Sequence, residues 1–144
     1  MVRSPLSLVG QVAVVLLLLA GCQQGRTPLA PVHGRISYRG MPLHGGTVVF
    51  TPDAGRGTTG AQSQAEIQSD GTYNLRATQG FGAVPGWHRV TVAAVYAETG
   101  APGGEHVIVP QSLVPDRYRD PQLSGLVCEV KADQSNAFDF NLVE

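Results

Sequence analysis

Beyond residue 31 the chain alternates polar and apolar positions in short runs. Val32, Gly34, Ile36 and Tyr38 fall on one face, with His33, Arg35, Ser37 and Arg39 on the other. A period of two with polar partners predicts a half-buried strand. Thr47 to Thr51 is a β-branched run around Phe50 and predicts a second. Ala65 to Ser69 and Thr72 to Leu75 flank Asp70-Gly71, which predicts a hairpin. Trp87 to Tyr96 is the longest run: His88, Val90, Val92 and Ala94 share one face, and Trp87, Arg89, Thr91, Ala93 and Val95 the other. Leu126, Cys128 and Val130 alternate with Val127, Glu129 and Lys131, and Phe138, Phe140 and Leu142 with Asp139, Asn141 and Val143. Glycine- and proline-bearing turns separate these runs at 40–46, 52–60 and 79–86. Residues 97–124 carry one further apolar segment, Val107-Ile108-Val109, stopped by Pro110. The pattern predicts seven strands, with that segment a candidate eighth, and no helix after the first 21 residues. Short antiparallel strands at this spacing form a sandwich or a barrel.

The first 22 residues follow a different rule. Arg3 precedes an apolar stretch from Val9 to Leu19, which ends in Leu19-Ala20-Gly21-Cys22. The unbroken apolar run, Val12 to Ala20, is about half of the ~20 residues needed to cross a bilayer, so a cleaved leader is expected over residues 1–21. Leu19 to Cys22 resembles the lipobox of bacterial lipoproteins. That resemblance implies cleavage before Cys22, diacylglycerol on its thiol and acylation of the new amine. Several acyl chains, at ~0.8 kcal/mol per buried methylene, anchor a protein stably. Gln23, which is not acidic, leaves retention at the inner membrane unrequested, and outer-membrane placement in the cell envelope is the expectation. Residues 22–31 contain Gly25, Pro28 and Pro31 without apolar periodicity and read as a tether, leaving 32–144 as one domain.

Composition narrows the partners. The 144 residues carry a formal net charge of −1, without the clustered basic excess that nucleic acid demands. With 18 Gly and 10 Pro, turns rather than long helices are favoured.

Several motifs resemble carboxypeptidase-regulatory-like, or transthyretin-like, β-sandwich domains. They are Val32-x-Gly34-x-Ile36-x-Tyr38-x-Gly40, Pro42-Leu43-x-Gly45-Gly46-Thr47-Val48-x-Phe50-x-Pro52, Asp70-Gly71-x-Tyr73-x-Leu75 and Pro85-Gly86-x-x-Arg89-Val90-x-Val92. The later stretches Pro115-x-x-Tyr118-x-Asp120-Pro121-x-x-Ser124-Gly125-Leu126 and Asn136-x-Phe138-x-Phe140-x-Leu142 are similar to small lipoproteins of planctomycete bacteria. The resemblance covers residues 32 to 142 and implies an all-β fold, a single antiparallel seven-stranded sandwich. It carries little about function, because its motifs are turn glycines and core positions. His88 stands where the family usually has an aromatic residue, and a packed or hydrogen-bonded histidine is expected there.

Residues that could carry chemistry are scattered. Cys128 is the one thiol besides Cys22, and it alternates with apolar neighbours, as a core residue does. His33, His44, His88 and His106 show no zinc spacing, and Asp70, Asp116, Asp120 and Asp133 no calcium-loop spacing. His44-Gly45-Gly46 resembles an esterase oxyanion segment, but no G-x-S-x-G supplies a nucleophile. Tyr38-Arg39-Gly40 lies in the first strand, unlike the terminal Tyr-Arg-Gly-Ser of hydroxyisourate hydrolases. No cofactor and no catalytic group are expected. Tyr96, Arg117, Tyr118 and Arg119 bring aromatics beside arginines in the loop between Tyr96 and Ser124. They are the candidate contacts for a carbohydrate or peptide, or else pack that loop onto the sandwich. The expected role is an envelope lipoprotein, held to a membrane through Cys22, with a structural or binding sandwich and a glycan or protein partner. A hydrolase assembled from distant loops is the remaining alternative.

Overall fold

A computed structural model describes residues 27–97 and 110–144. The leader, Cys22 and the Val107–Val109 segment therefore lie outside the described residues. Thirteen short strands form among those described: β1 (Val32–Tyr38), β2 (Met41–Pro42), β3 (Thr47–Pro52), β4 (Ser63–Glu66), β5 (Thr72–Asn74), β6 (Arg76–Ala77), β7 (Gly80–Phe81), β8 (Gly86–Ala93), β9 (Val95–Ala97), β10 (Pro110–Ser112), β11 (Leu126–Val130), β12 (Asn136–Ala137) and β13 (Phe140–Leu142). The larger sheet runs β11-β8-β3-β4-β6-β7, entirely antiparallel. In the second sheet β1 is central, flanked by β12 and β13 on one side and by β2 and β5 on the other. β9 and β10 make a separate ribbon. The chain is all-β, in two sheets that share one core.

The alternation sorts side chains as expected. Val32 and Ile36 of β1, Val48 and Phe50 of β3, and His88, Val90 and Val92 of β8 are buried, together with Ala94 just beyond it. Phe50 is the hub. Its ring lies 6.1 Å from Tyr73, 6.3 Å from Phe138, 6.2 Å from Phe140 and 6.0 Å from His88. Tyr73 and Phe140 come from the second sheet and Phe138 from the link between β12 and β13, so the cluster joins the layers at centroid spacings normal for aromatic pairs.

Three features differ from the sequence pattern. First, β1 pairs with the C-terminal strands in parallel, through Val32↔Asn136, His33↔Ala137 and Ile36↔Phe140 to Tyr38↔Leu142. An antiparallel sheet alone does not describe this layer. Second, Asp70-Gly71 makes a turn but not a two-strand hairpin: β4 pairs with β3 and β6, while β5 pairs with β1. The turn hands the chain from one sheet to the other. Asp70 Oδ1 accepts from the Thr72 amide at 3.0 Å and its hydroxyl at 2.6 Å, and these bonds hold the Asp70 pKa below the usual carboxylate value. Gly71 has φ +83°, and its carbonyl accepts from the Ile36 amide at 2.8 Å; a Cβ there would lie 2.6 Å from the Ile36 oxygen. Third, the segment 79–86 is more than a turn, because β7 forms inside it against β6.

The packed part begins before Val32. Ala30 is buried and exchanges hydrogen bonds with Ala83 at 2.9 and 3.0 Å. Gly34, a glycine inside a strand, marks a close backbone approach, and the Phe138 carbonyl lies against it. Among the described residues no helix is long and apolar enough to cross a membrane.

Candidate functional site

From Pro110 the chain leads into a short 3-10 turn, Asp116–Arg119. Tyr118 points inward and is 3% exposed. Its hydroxyl donates to the Val143 carbonyl at 3.0 Å and accepts from the Val143 amide at 2.9 Å. Arg117 Nη2 donates to that hydroxyl at 3.0 Å and to the Val143 and Glu144 carbonyls at 2.9 and 2.7 Å. Burial alone raises the Tyr118 pKa, but the hydrogen bonds from Arg117 and Val143 and the arginine's charge outweigh it and lower the net value. Tyr118 and Arg117 thus clasp Val143 and Glu144, just beyond β13. The aromatic face expected to stack on a ligand is inside the protein. Arg119 is exposed, and among the described residues its one ion pair is with Asp116 at 3.8 Å. Tyr96 pairs through its backbone with Gln111 in the β9–β10 ribbon.

The other candidate groups are kept apart. Cys128 is buried on β11, and desolvation pushes its thiol up to about 12, so it is a neutral core residue rather than a nucleophile. Opposite it, His88 is fully buried. Its Nδ1 lies 3.0 Å from the Gly86 carbonyl, and its Nε2 has no partner among the described residues. Desolvation lowers the His88 pKa, more than the Gly86 bond restores. Because Gly86 offers a carbonyl, Nδ1–H is the donor of that bond. His44 and His33 are exposed; His44 bonds the Ser69 carbonyl and His33 lies 3.4 Å from Ser135 Oγ. No carboxylate is hydrogen-bonded to His33 among the described residues to orient it as a base. His106 lies outside the described residues. No group of three metal-ligating side chains occurs among the described residues.

One charged node has no counterpart in the sequence pattern. Asp53, 4% exposed, caps the 3-10 turn Ala54–Arg56 by accepting from the Gly55 amide at 3.1 Å. Its other oxygen takes Arg89 Nε at 3.1 Å and faces Arg56 Nε at 3.6 Å. Arg89 continues to Gln122 at 3.1 Å, and Arg56 lies over the Trp87 ring at 4.5 Å. This network fastens two loops to β8 and uses its hydrogen bonds internally.

The outer face of the larger sheet is different. A groove of about 1010 Å³ runs over β4 and β6, lined by Gln62, Gln64, Glu66, Gln68, Asn74 and Arg76 with Thr47 and Thr78 at its margins. β4 supplies Gln64 and Glu66 because Ser63 and Ala65 alternate inward. Arg76 sits opposite Gln64 in the ladder, and its guanidinium lies 4.4 Å from the centre of the exposed Phe81 ring. Among the described residues none of these six groove side chains is hydrogen-bonded to another.

No family model matches the chain, and no curated protein matches it. Among solved structures it is similar to a 9R-lipoxygenase from Cyanothece PCC8801, with a TM-score of 0.38 and 14% identity over 98% of this chain. The chain spans 21% of that protein's length. So slight a likeness bears on neither fold nor activity, and the functional reading rests on the residues themselves.

Proposed function

We propose that this chain is a cell-envelope lipoprotein, anchored to a membrane through acylated Cys22, whose transthyretin-like sandwich serves a binding or structural role without catalysis. The observation that carries the reading is Leu19-Ala20-Gly21-Cys22 at the end of an apolar run too short to span a bilayer. The geometry of the domain's entrance is consistent with it. Ala30 is fixed to Ala83, so the stretch from Cys22 to Leu29 reaches no further than roughly 30 Å at ~3.5 Å per residue. The domain would therefore sit close to the headgroups.

The test is metabolic labelling with radioactive palmitate followed by membrane fractionation. Wild-type protein should carry label and sediment with membranes. Cys22→Ala should carry none and fail to be processed. Label retained by Cys22→Ala, or an unlabelled soluble wild type, refutes the anchor.

A further inference from the structure

We propose that the groove over β4 and β6 binds an uncharged, hydroxyl-rich glycan chain; this deepens the binding role proposed above and rests on it. The main polar clusters elsewhere on the domain are committed. Asp53, Arg89 and Gln122 bind one another, Tyr118 and Arg117 hold the C-terminus, and Asn136 is saturated by backbone. Over β4 and β6, four amides stand together with none of those commitments: Gln62, Gln64, Gln68 and Asn74.

The chemistry of the lining selects the ligand class. Each amide offers donors and an acceptor, which matches a hydroxyl that both gives and takes. The one cation of the lining, Arg76, is balanced by its one anion, Glu66, so an acidic polymer finds no net positive field. A peptide would need apolar pockets for its side chains, and the lining is polar apart from Ala65 and Ala77. Phe81 adds the remaining ingredient. The residue is 68% exposed and lies outside the groove lining, next to Arg76, whose guanidinium packs 4.4 Å from its ring centre; the surface of the ring that Arg76 leaves uncovered is apolar and can take the C–H face of a sugar. Gln64 on β4 and Arg76 on β6 face each other in the ladder, so their backbones are fixed before the ligand arrives, while Gln62 and Gln68 flank β4 and Asn74 ends β5.

The experiment uses the full chain, extracted in detergent, on an array of neutral gluco-, manno-, galacto- and N-acetylglucosamine oligomers, with sulfated oligomers, uronic-acid oligomers and random peptides alongside. At least one neutral series should bind. Gln64→Ala and Arg76→Ala should each weaken that binding about ten-fold, and Gln134→Ala, an exposed amide outside the groove, should leave it unchanged. Both groove residues are exposed, and unchanged thermal melting of the variants will show that the fold persists. Hydrogen exchange should slow at residues 62–68 and 74–78 when the bound oligomer is added. Silence toward every neutral series, binding confined to acidic oligomers or peptides, or groove variants of wild-type strength would each overturn the proposal. Palmitate labelling separates the two readings: labelled protein without glycan binding sinks the groove alone, and glycan binding by unlabelled protein sinks the anchor alone.

Discussion

Gly34→Ala is the sharpest test of how the two ends of the domain meet. A Cβ at this position would lie 1.9 Å from the Phe138 carbonyl oxygen, 2.6 Å from its carbon and 3.0 Å from the Tyr73 hydroxyl. Two of these atoms belong to backbone, which cannot swing aside as a side chain does. Strand β1 and the C-terminal segment would have to part by about 1 Å within a packed interior. That opening breaks or stretches two bonds: Phe138 N–H to His33 at 2.9 Å and Tyr73 O–H to Phe138 at 2.7 Å. At ~1 kcal/mol net for each bond, plus ~1–3 kcal/mol for overpacking, the cost comes to about 3–5 kcal/mol. A domain of this size has only ~5–15 kcal/mol to lose. Gly40→Ala is the control, because Gly40 has φ +80° but nothing within 4 Å of where its Cβ would stand, leaving backbone strain of ~1 kcal/mol alone. Urea unfolding followed by circular dichroism measures both. Gly34→Ala should lose at least ~2 kcal/mol more than Gly40→Ala. Equal losses would refute the close approach of β1 to Phe138.

Three further outcomes follow from the core. His88 has a folded-state pKa below its ordinary value of 6.5, so the unfolded chain takes up a proton first as pH falls; stability is intact above about 6.5 and declines below it by up to ~1.4 kcal/mol per pH unit. His88→Phe should flatten that decline in acid melts by one proton's worth, and an unchanged slope would disprove the assignment. Asn136 Nδ2 donates to the Pro31, Lys131 and Gln134 carbonyls while Oδ1 accepts from the Lys131 amide at 2.8 Å, so Asn136→Ala should cost about 2–4 kcal/mol of unfolding free energy in denaturant; a loss under ~1 kcal/mol contradicts its role as the hub of that turn. Tyr118→Phe should cost about 1–2 kcal/mol and accelerate exchange of the Val143 amide, whereas unaltered exchange would show that the hydroxyl does not hold the C-terminus.

Period-two alternation makes the inward faces of β1, β3, β8 and β11 legible, down to Cys128 and His88 as buried residues. Gly34 and Gly71 are readable for the same local reason, since each marks a place where a side chain cannot fit. Pairing is not legible. Val32 and Asn136 are neighbours in space, but nothing in either segment encodes a parallel partner so far along the chain. Two-residue strands such as β6 and β7 fall below any periodic signal, and the groove wall that carries Arg76 is hidden with them. Tyr118 and Arg117 stand out as a pair, but a sequence cannot tell whether such a pair faces a ligand or its own C-terminus. Asp53 reads as an ordinary loop acid until Arg89, on the neighbouring strand β8, is seen to reach it.

Intact mass spectrometry of the protein purified from membranes of its expression host bears most directly on the central claim, that a lipid on Cys22 fixes this sandwich at a membrane. The expected species is residues 22–144 carrying the mass of a diacylglyceryl group and an amide-linked acyl chain. A chain that begins at any other residue, or at Cys22 without added lipid, would contradict it.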